Sequence, residues 1–359
     1  MNELQNRLKN EIEELCAFCS VSGFEKRQTG ALREKYGDFF DRISADAVGN
    51  HLFEKDCGRA NAPTLLLDAH FDEIGMMITE VCDGGFLKFT SIGGLSLAVL
   101  QAADVLIFGK ETVRGVIIST PPHLRGADRE RLADIDDLMI DTGYSKEAIE
   151  EICPIGTPVG FAPSYTLLFG GRMAGRSFDN KACCALLAAA VADTPKEALA
   201  ANVRLIFSSF EETSRLGGVA PAAFSVNPDY AFVADVNLGE IPDAPKYETV
   251  PLGGGISISL SAATHRGLSL DTQRICKEKG IPHTMIAAPS STGTNAPTVN
   301  LTLGGIPVVD VGLPLKNMHT YGEVLDLADC ESLYRLVSEF IRDGALAERY
   351  GSRGKELAL

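Results

Sequence analysis

TLLLDAHFD, residues 64–72, is a short apolar run that ends on His70 and Asp72. Successive Leu positions of this kind read as a strand buried on both faces, as in a parallel sheet. Three similar runs follow: VRLIFSSF near residue 206, YAFVADV near 233 and IPVVDVGLP near 310. Helical patterns alternate with them. CCALLAAAVA after 183 is one, and residues 327–342 are another, with Leu333, Leu336, Val337, Phe340 and Ile341 on one face and Gly344 just past the end. At the start, Leu4, Leu8, Ile12, Leu15 and Cys19 recur at helical spacing, and the loop Ser20–Gly23 closes that helix. Buried strands alternating with helices predict an α/β layer with a largely parallel sheet.

The stretch from about 73 to 164 has a different texture. GGFLKFTSIGGLSL, DVLIFGK, VRGVIIS and TPVGFAP are short strand-like pieces separated by Gly, Pro and Asp, which predicts a β-rich insertion. Its one strongly polar tract, GADRERLADIDDLMID (126–141), reads as a solvated excursion.

At 359 residues the chain is long enough for about two domains. It carries 33 Lys and Arg against 48 Asp and Glu, a formal −15, with 45% hydrophobic residues. The apolar fraction argues against disorder, and the excess acid against a nucleic-acid or anionic-membrane partner. No run of about 18 apolar residues is present, so no spanning helix is expected. The opening MNELQNRLKNEIEEL is charged from its third residue, unlike a secretory signal. Nine Cys, an odd number over a long chain, suit a reducing cytoplasm.

The informative fact is where the His, Asp and Glu residues fall. Open α/β sheets place their sites outside the carboxyl ends of strands. Four apolar runs each deliver a ligand-type residue there: His70 and Asp72, Glu211 and Glu212, Asp235, and His319. Asp179 stands at the mouth of the helix DNKACCALLAAA. Imidazoles and carboxylates from separate segments form a donor set suited to Zn, Co or Mn, and a bridging carboxylate would allow two metals about 3.5–4 Å apart. In His70-x-Asp72 the Asp can hold the imidazole's other N–H. At a frayed strand end one of Glu211 and Glu212 could ligate while the other stays free as base.

Taken singly, each signal has a plainer reading. An H-x-D is commonly a surface pair, an E-E pair is commonly solvated charge, and Asp179 could be an ordinary helix-capping acid. Asp235 or His319 could simply begin a turn. Their joint placement carries the reading. His51, His123, His265 and His283 have no acid at ligand spacing and are expected to be structural or exposed. Cys16-x-x-Cys19 and Cys183-Cys184 fit apolar helix faces better than redox chemistry. Gly253–Gly255 lacks the Lys-Ser/Thr of a phosphate loop.

With these residues placed, the chain resembles the cytosolic dinuclear metallo-aminopeptidases of the glutamyl-aminopeptidase and tetrahedral-aminopeptidase family, often labelled cellulases or endoglucanases. The similarity runs through VSGFE (21–25), DAHFDEIG (68–75), PPHLR (121–125), DLMIDTGYS (137–145), SFDNKACCA (177–185), FEETSRLGG (210–218), VADV (233–236), PLGGG (251–255), TGTNA (292–296) and GLPLKNMH (312–319). The resemblance implies a mixed-sheet, phosphorylase/hydrolase-like metallopeptidase domain, residues 1–72 plus 165–359. A β-barrel-like dimerisation insertion, residues 73–164, would interrupt it. It implies two divalent metal ions, Zn or Co. One would be held by His70, Asp179 and Asp235, the other by Asp179, Glu212 and His319. Glu211 would be the general base and Asp72 the group orienting His70. Peptides would be the substrates, and dimers could build a tetrahedral dodecamer.

Departures from the family pattern are Thr213-Ser214 for Val-Gly, Leu216 and Lys181 for Arg, and Asn295 for Asp. None removes an implied ligand; they bear on substrate preference, because the loop after Glu212 and the TGTNA turn are expected near the substrate. Two alternatives remain at this level. Glycoside hydrolysis would need a free carboxyl pair about 5–10 Å apart, in a chain with no Trp and 7% aromatic residues. A catalytically silent assembly protein would keep only the fold.

Overall fold

A computed structural model describes residues 1–121, 123, 134–213, 217–242, 244, 249–289 and 291–351. Among these, an eight-stranded sheet runs in the order Arg42–Ala45, His51–Lys55, Asn202–Ser208, Thr64–His70, Tyr230–Leu238, Val308–Leu315, Ile256–Ser261 and His283–Ala288. The four central strands, from Asn202–Ser208 to Val308–Leu315, are mutually parallel, and antiparallel pairings flank them on both sides. These four are the runs that the apolar pattern picked out. The sheet is mixed, with the expected parallel core.

Alternation along the Thr64–His70 strand builds both faces. Leu65, Leu67 and Ala69 join the core beneath the helices Glu3–Cys16, Phe178–Ala192 and Leu327–Phe340. Leu66 turns the other way, onto Val219, Ala223 and Val299 from the helices Val219–Val226 and Ala296–Asn300. Each such buried Leu contributes about 2 kcal/mol. The helix Phe178–Ala192 is buried along nearly its whole length, which explains its lack of an amphipathic pattern.

Six antiparallel strands close into a barrel in the order Gly75–Val81, Leu87–Ile92, Leu138–Asp141, Thr112–Ser119, Asp104–Phe108 and Pro158–Phe161. Its own core includes Met76, Leu87, Phe89, Ile107, Ile140 and Val159. The expectation of a solvated tract over 126–141 is corrected in part. Leu138–Asp141 is a barrel strand, with Leu138 and Ile140 buried, whereas residues 126–133 lie outside the described residues. The first helix ends at Cys16, so Cys19 packs from the following loop. Gly344 is not merely a terminator: it opens a further helix, Gly344–Tyr350.

Candidate metal centre

His70 is the last residue of its strand and is 2% exposed. Its Nδ1 lies 3.0 Å from the backbone carbonyl of Asp72. A carbonyl only accepts, so Nδ1 donates and Nε2 is the nitrogen left to meet the acids or a cation. That Nε2 faces Asp179 Oδ1 at 3.1 Å, Asp235 Oδ1 at 3.5 Å and Glu211 Oε2 at 3.9 Å. His319 mirrors it: Nδ1 lies 3.1 Å from the Gly94 carbonyl, and Nε2 faces Glu212 Oε2 at 3.3 Å and Asp179 Oδ2 at 3.5 Å. Asp179 thus turns one oxygen to each imidazole.

Backbone clamps hold this arrangement. Asp179 and Asn180 stand in non-helical backbone at the start of their helix, with a cis peptide between them. The Asp179 N–H donates to Glu323 Oε2 at 3.2 Å, and the His319 N–H to Glu323 Oε1 at 3.3 Å. One buried carboxylate therefore fixes the backbones of two segments. Phe210, at φ 59°, turns the chain so that the N–H groups of Glu211 and Glu212 both meet the Asp72 carboxylate at 3.1 Å. Asp72 was expected to orient His70 through its side chain. The shorter contact to the imidazole is instead its backbone oxygen, with the nearer carboxylate oxygen at 3.5 Å. Asp235 lies within its strand rather than beyond it, because that strand continues to Leu238.

The donor set fits divalent cations. Ligand atoms on a tetrahedral ion with bonds of about 2.1 Å sit about 3.4 Å apart; the imidazole-to-carboxylate distances here run from 3.1 to 3.9 Å. His70, Asp179 and Glu212 can offer ligand atoms within 4.8 Å of one another. Charge agrees. Burial raises Glu211, Glu212 and Asp235 above the ordinary carboxylate range, and the Asp179 charge adds to it. Against burial, which would lower it, the Asp235 charge and hydrogen bonds to its acidic neighbours hold His70 well above the usual imidazole value. All four groups report one condition, a surplus of negative charge that positive charge would relieve.

Behind the centre, Glu73 is fully buried between Arg176 Nη1 at 2.7 Å and Lys181 Nζ at 2.9 Å. Against burial, the Lys181 and Arg176 charges hold the Glu73 carboxyl down to about 2. Lys181 also donates to the Phe18 carbonyl, so this departure from the family pattern is a core contact rather than a substrate contact. Asn295 is likewise buried, donating to Asp68 Oδ2 and Ser208 Oγ, both at 2.9 Å. Thr213 shares a hydrogen bond with Ser22 at 2.9 Å, while Ser214 and Leu216 lie outside the described residues.

The TGTNA turn does reach the site through other residues. Thr292 and Gly293 line a cavity of about 520 Å³ that opens beside the two imidazoles. Thr292 is tied to Thr294 at 2.8 Å, and Thr294 donates to the buried Asp310 at 2.8 Å. Glu323 escaped the sequence reading because it stands alone at the head of EVLD with no ligand spacing; an acid opening a buried strand was the available signal. Among the other histidines, His51 is buried, His265 caps a helix and His283 contacts the Ile281 carbonyl. The nine cysteines are unpaired, and Cys16, Cys19, Cys183 and Cys184 are packed in the interior.

The profile of the M42 glutamyl aminopeptidase family matches residues 49–336. A lysyl aminopeptidase from Pyrococcus furiosus is 28% identical over 312 residues, covering 85% of this chain and 88% of that protein. The TET aminopeptidase from a marine sediment Thaumarchaeota archaeon superposes with a TM-score of 0.86 at 25% identity, covering 96% of this chain and 99% of that one. The TET1 peptidase of Pyrococcus horikoshii, described as assembling into a tetrahedron or a large octahedral shell, superposes with a TM-score of 0.81 at 27% identity, covering 93% and 99%.

Proposed function

The chain belongs to the M42 glutamyl aminopeptidase family and is a hydrolase of the aminopeptidase type, and from that premise we propose how its residues divide the work. His70, Asp179 and Asp235 would hold one divalent cation; Asp179, Glu212 and His319 would hold a second. The borderline-hard donor set favours zinc or cobalt. Such a pair would lower the pKa of a water and polarise the scissile carbonyl. Glu211, which faces His70 Nε2 at 3.9 Å and lines the cavity, takes the proton of the attacking water and returns it to the leaving amine. Asp72 holds the Glu211–Glu212 turn by its two N–H bonds, so that the base and the ligand point the same way. The acidic pocket also favours a cationic N-terminus over an internal peptide segment.

The observation that carries this reading is Asp179, whose two oxygens address His70 and His319 separately. The glycosidase alternative has no comparable support, because Glu212 already faces an imidazole at 3.3 Å. In the test, metal-loaded protein hydrolyses aminoacyl anilides, chelation abolishes the activity and Co or Zn restores it. Glu211→Gln should lower kcat by about 10²–10⁴-fold with two metal equivalents retained. Near-normal turnover in that variant would remove Glu211 from its role, and a metal-loaded protein inert to a broad peptide panel would leave only a silent fold.

We further propose that residues 73–164 form the dimerisation domain inserted into a catalytic domain of residues 1–72 plus 165–359. The closed barrel supports this division, and the shells described for TET1 support assembly of dimers into a dodecamer; light scattering on the purified protein would decide. Unpaired cysteines favour a cytoplasmic location, and no helix among the described residues is long and apolar enough to cross a membrane.

A further inference from the structure

Resting on the aminopeptidase reading, we propose that the pocket for the N-terminal side chain selects uncharged aliphatic residues, leucine and methionine above all, and rejects glutamyl and lysyl ends. The cavity beside the imidazoles is lined by two unlike sets of residues. One is the acidic cluster already described. The other is a wall of Val236, Asn237 and Leu238 at the end of their strand, Ile286 on the edge strand, Met318 beside His319, and the uncharged turn Thr292–Gly293. Among the described residues no Lys or Arg lines this cavity. A substrate whose α-amino group and scissile carbonyl meet the acidic set would place its first side chain against the other.

Three physical consequences follow from that wall. A glutamyl side chain would lose hydration with no Lys or Arg among the described lining residues to meet it. Among the described lining residues a lysyl ammonium would find acids only in Asp179, Glu211, Glu212 and Asp235, which the proposed chemistry already occupies. An aliphatic side chain loses nothing polar and covers Ile286, Leu238 and Met318. The turn that carries Thr292 is fastened through Thr294 to Asp310, so the wall is preformed.

Two readouts on the cobalt-loaded full chain test the proposal. Calorimetry compares binding of free L-leucine, L-glutamate and L-lysine, and steady-state kinetics compare the matching anilides. We expect leucine to bind tightest, and leucyl hydrolysis to exceed glutamyl and lysyl by at least about 100-fold in kcat/KM. Ile286→Arg and Leu238→Arg, both at partly exposed positions, should each raise the glutamyl-to-leucyl ratio by at least about tenfold. Glutamate or lysine binding as well as leucine, or both Arg variants leaving the ratio unchanged, would overturn the apolar assignment. Leucine binding tightest without any turnover would uphold the pocket and overturn the catalytic reading instead.

Discussion

At the scale of single residues, the centre depends on two imidazoles being held in one tautomer by backbone carbonyls, and Gly94 shows how little room that leaves. A Cβ added there would stand 2.8 Å from His319 Nδ1 and 3.1 Å from Cε1, while the Gly94 carbonyl accepts that same Nδ1–H. Only a residue without a side chain can approach the ring and orient it at once. Gly94→Ala should therefore displace His319 and leave the protein with about one tightly bound metal equivalent instead of two. Elemental analysis after dialysis reads this directly, and retention of both equivalents would show that the ring is positioned by something else. Asp72→Asn tests the opposite clamp. Its amide nitrogen cannot accept the second of the two N–H groups at 3.1 Å, so kcat should fall by about tenfold or more while the His319 side of the centre keeps its metal.

At the scale of elements, the buried His51 on the strand His51–Lys55 provides a pH test away from the metal. Burial lowers its pKa from 6.5 to about 4. Its ring packs edge-on against Phe71 and shares a hydrogen bond with Thr29 at 3.0 Å. The folded value lies below the unfolded one, so the unfolded chain takes up the proton first on acidification. The contribution is complete above pH 6.5 and is lost as pH falls toward 4, by about 3 kcal/mol. His51→Phe should flatten the loss of stability across that window in urea titrations; an unchanged slope would place the acid sensitivity elsewhere. Elements also decided what was legible beforehand. The four parallel strands announced themselves because strands buried on both faces must be apolar throughout, and His70, the Glu211–Glu212 pair and His319 stand at or near their ends, where polarity returns, while Asp179 opens the buried helix. Asp235 broke that rule by sitting inside a strand, yet its run of apolar neighbours made it conspicuous. Glu323 and Gly94 were not legible. Each acts on a partner far away in sequence, Asp179 for Glu323 and His319 for Gly94, and a single chain marks such contacts only weakly. Lys181 and Asn295 misled for the same reason, since their partners Glu73 and Asp68 lie on distant segments.

At the scale of the molecule, the centre gathers side chains from five separated stretches, so a bound cation would tie four strands and a buried helix together. Binding free energy is then folding free energy. A site filled at a hundredfold excess of free metal over its Kd stabilises the fold by about 2.7 kcal/mol. Emptying it restores mutual repulsion among Asp72, Asp179, Glu211, Glu212 and Asp235, all converging on the two imidazoles. Chelation should accordingly lower Tm by several degrees, and stoichiometric Zn or Co should restore it. Asp179→Asn separates the two contributions. It removes one charge from the cluster and one of the two oxygens that face the separate imidazoles, so the chelated variant should melt at or above the chelated wild-type protein, while its metal-induced rise in Tm shrinks to less than half. Scanning calorimetry with and without EDTA reads both quantities. A wild-type Tm indifferent to chelation would mean that the five stretches meet for packing alone, and that the acids gathered there are held by the fold without help from a cation.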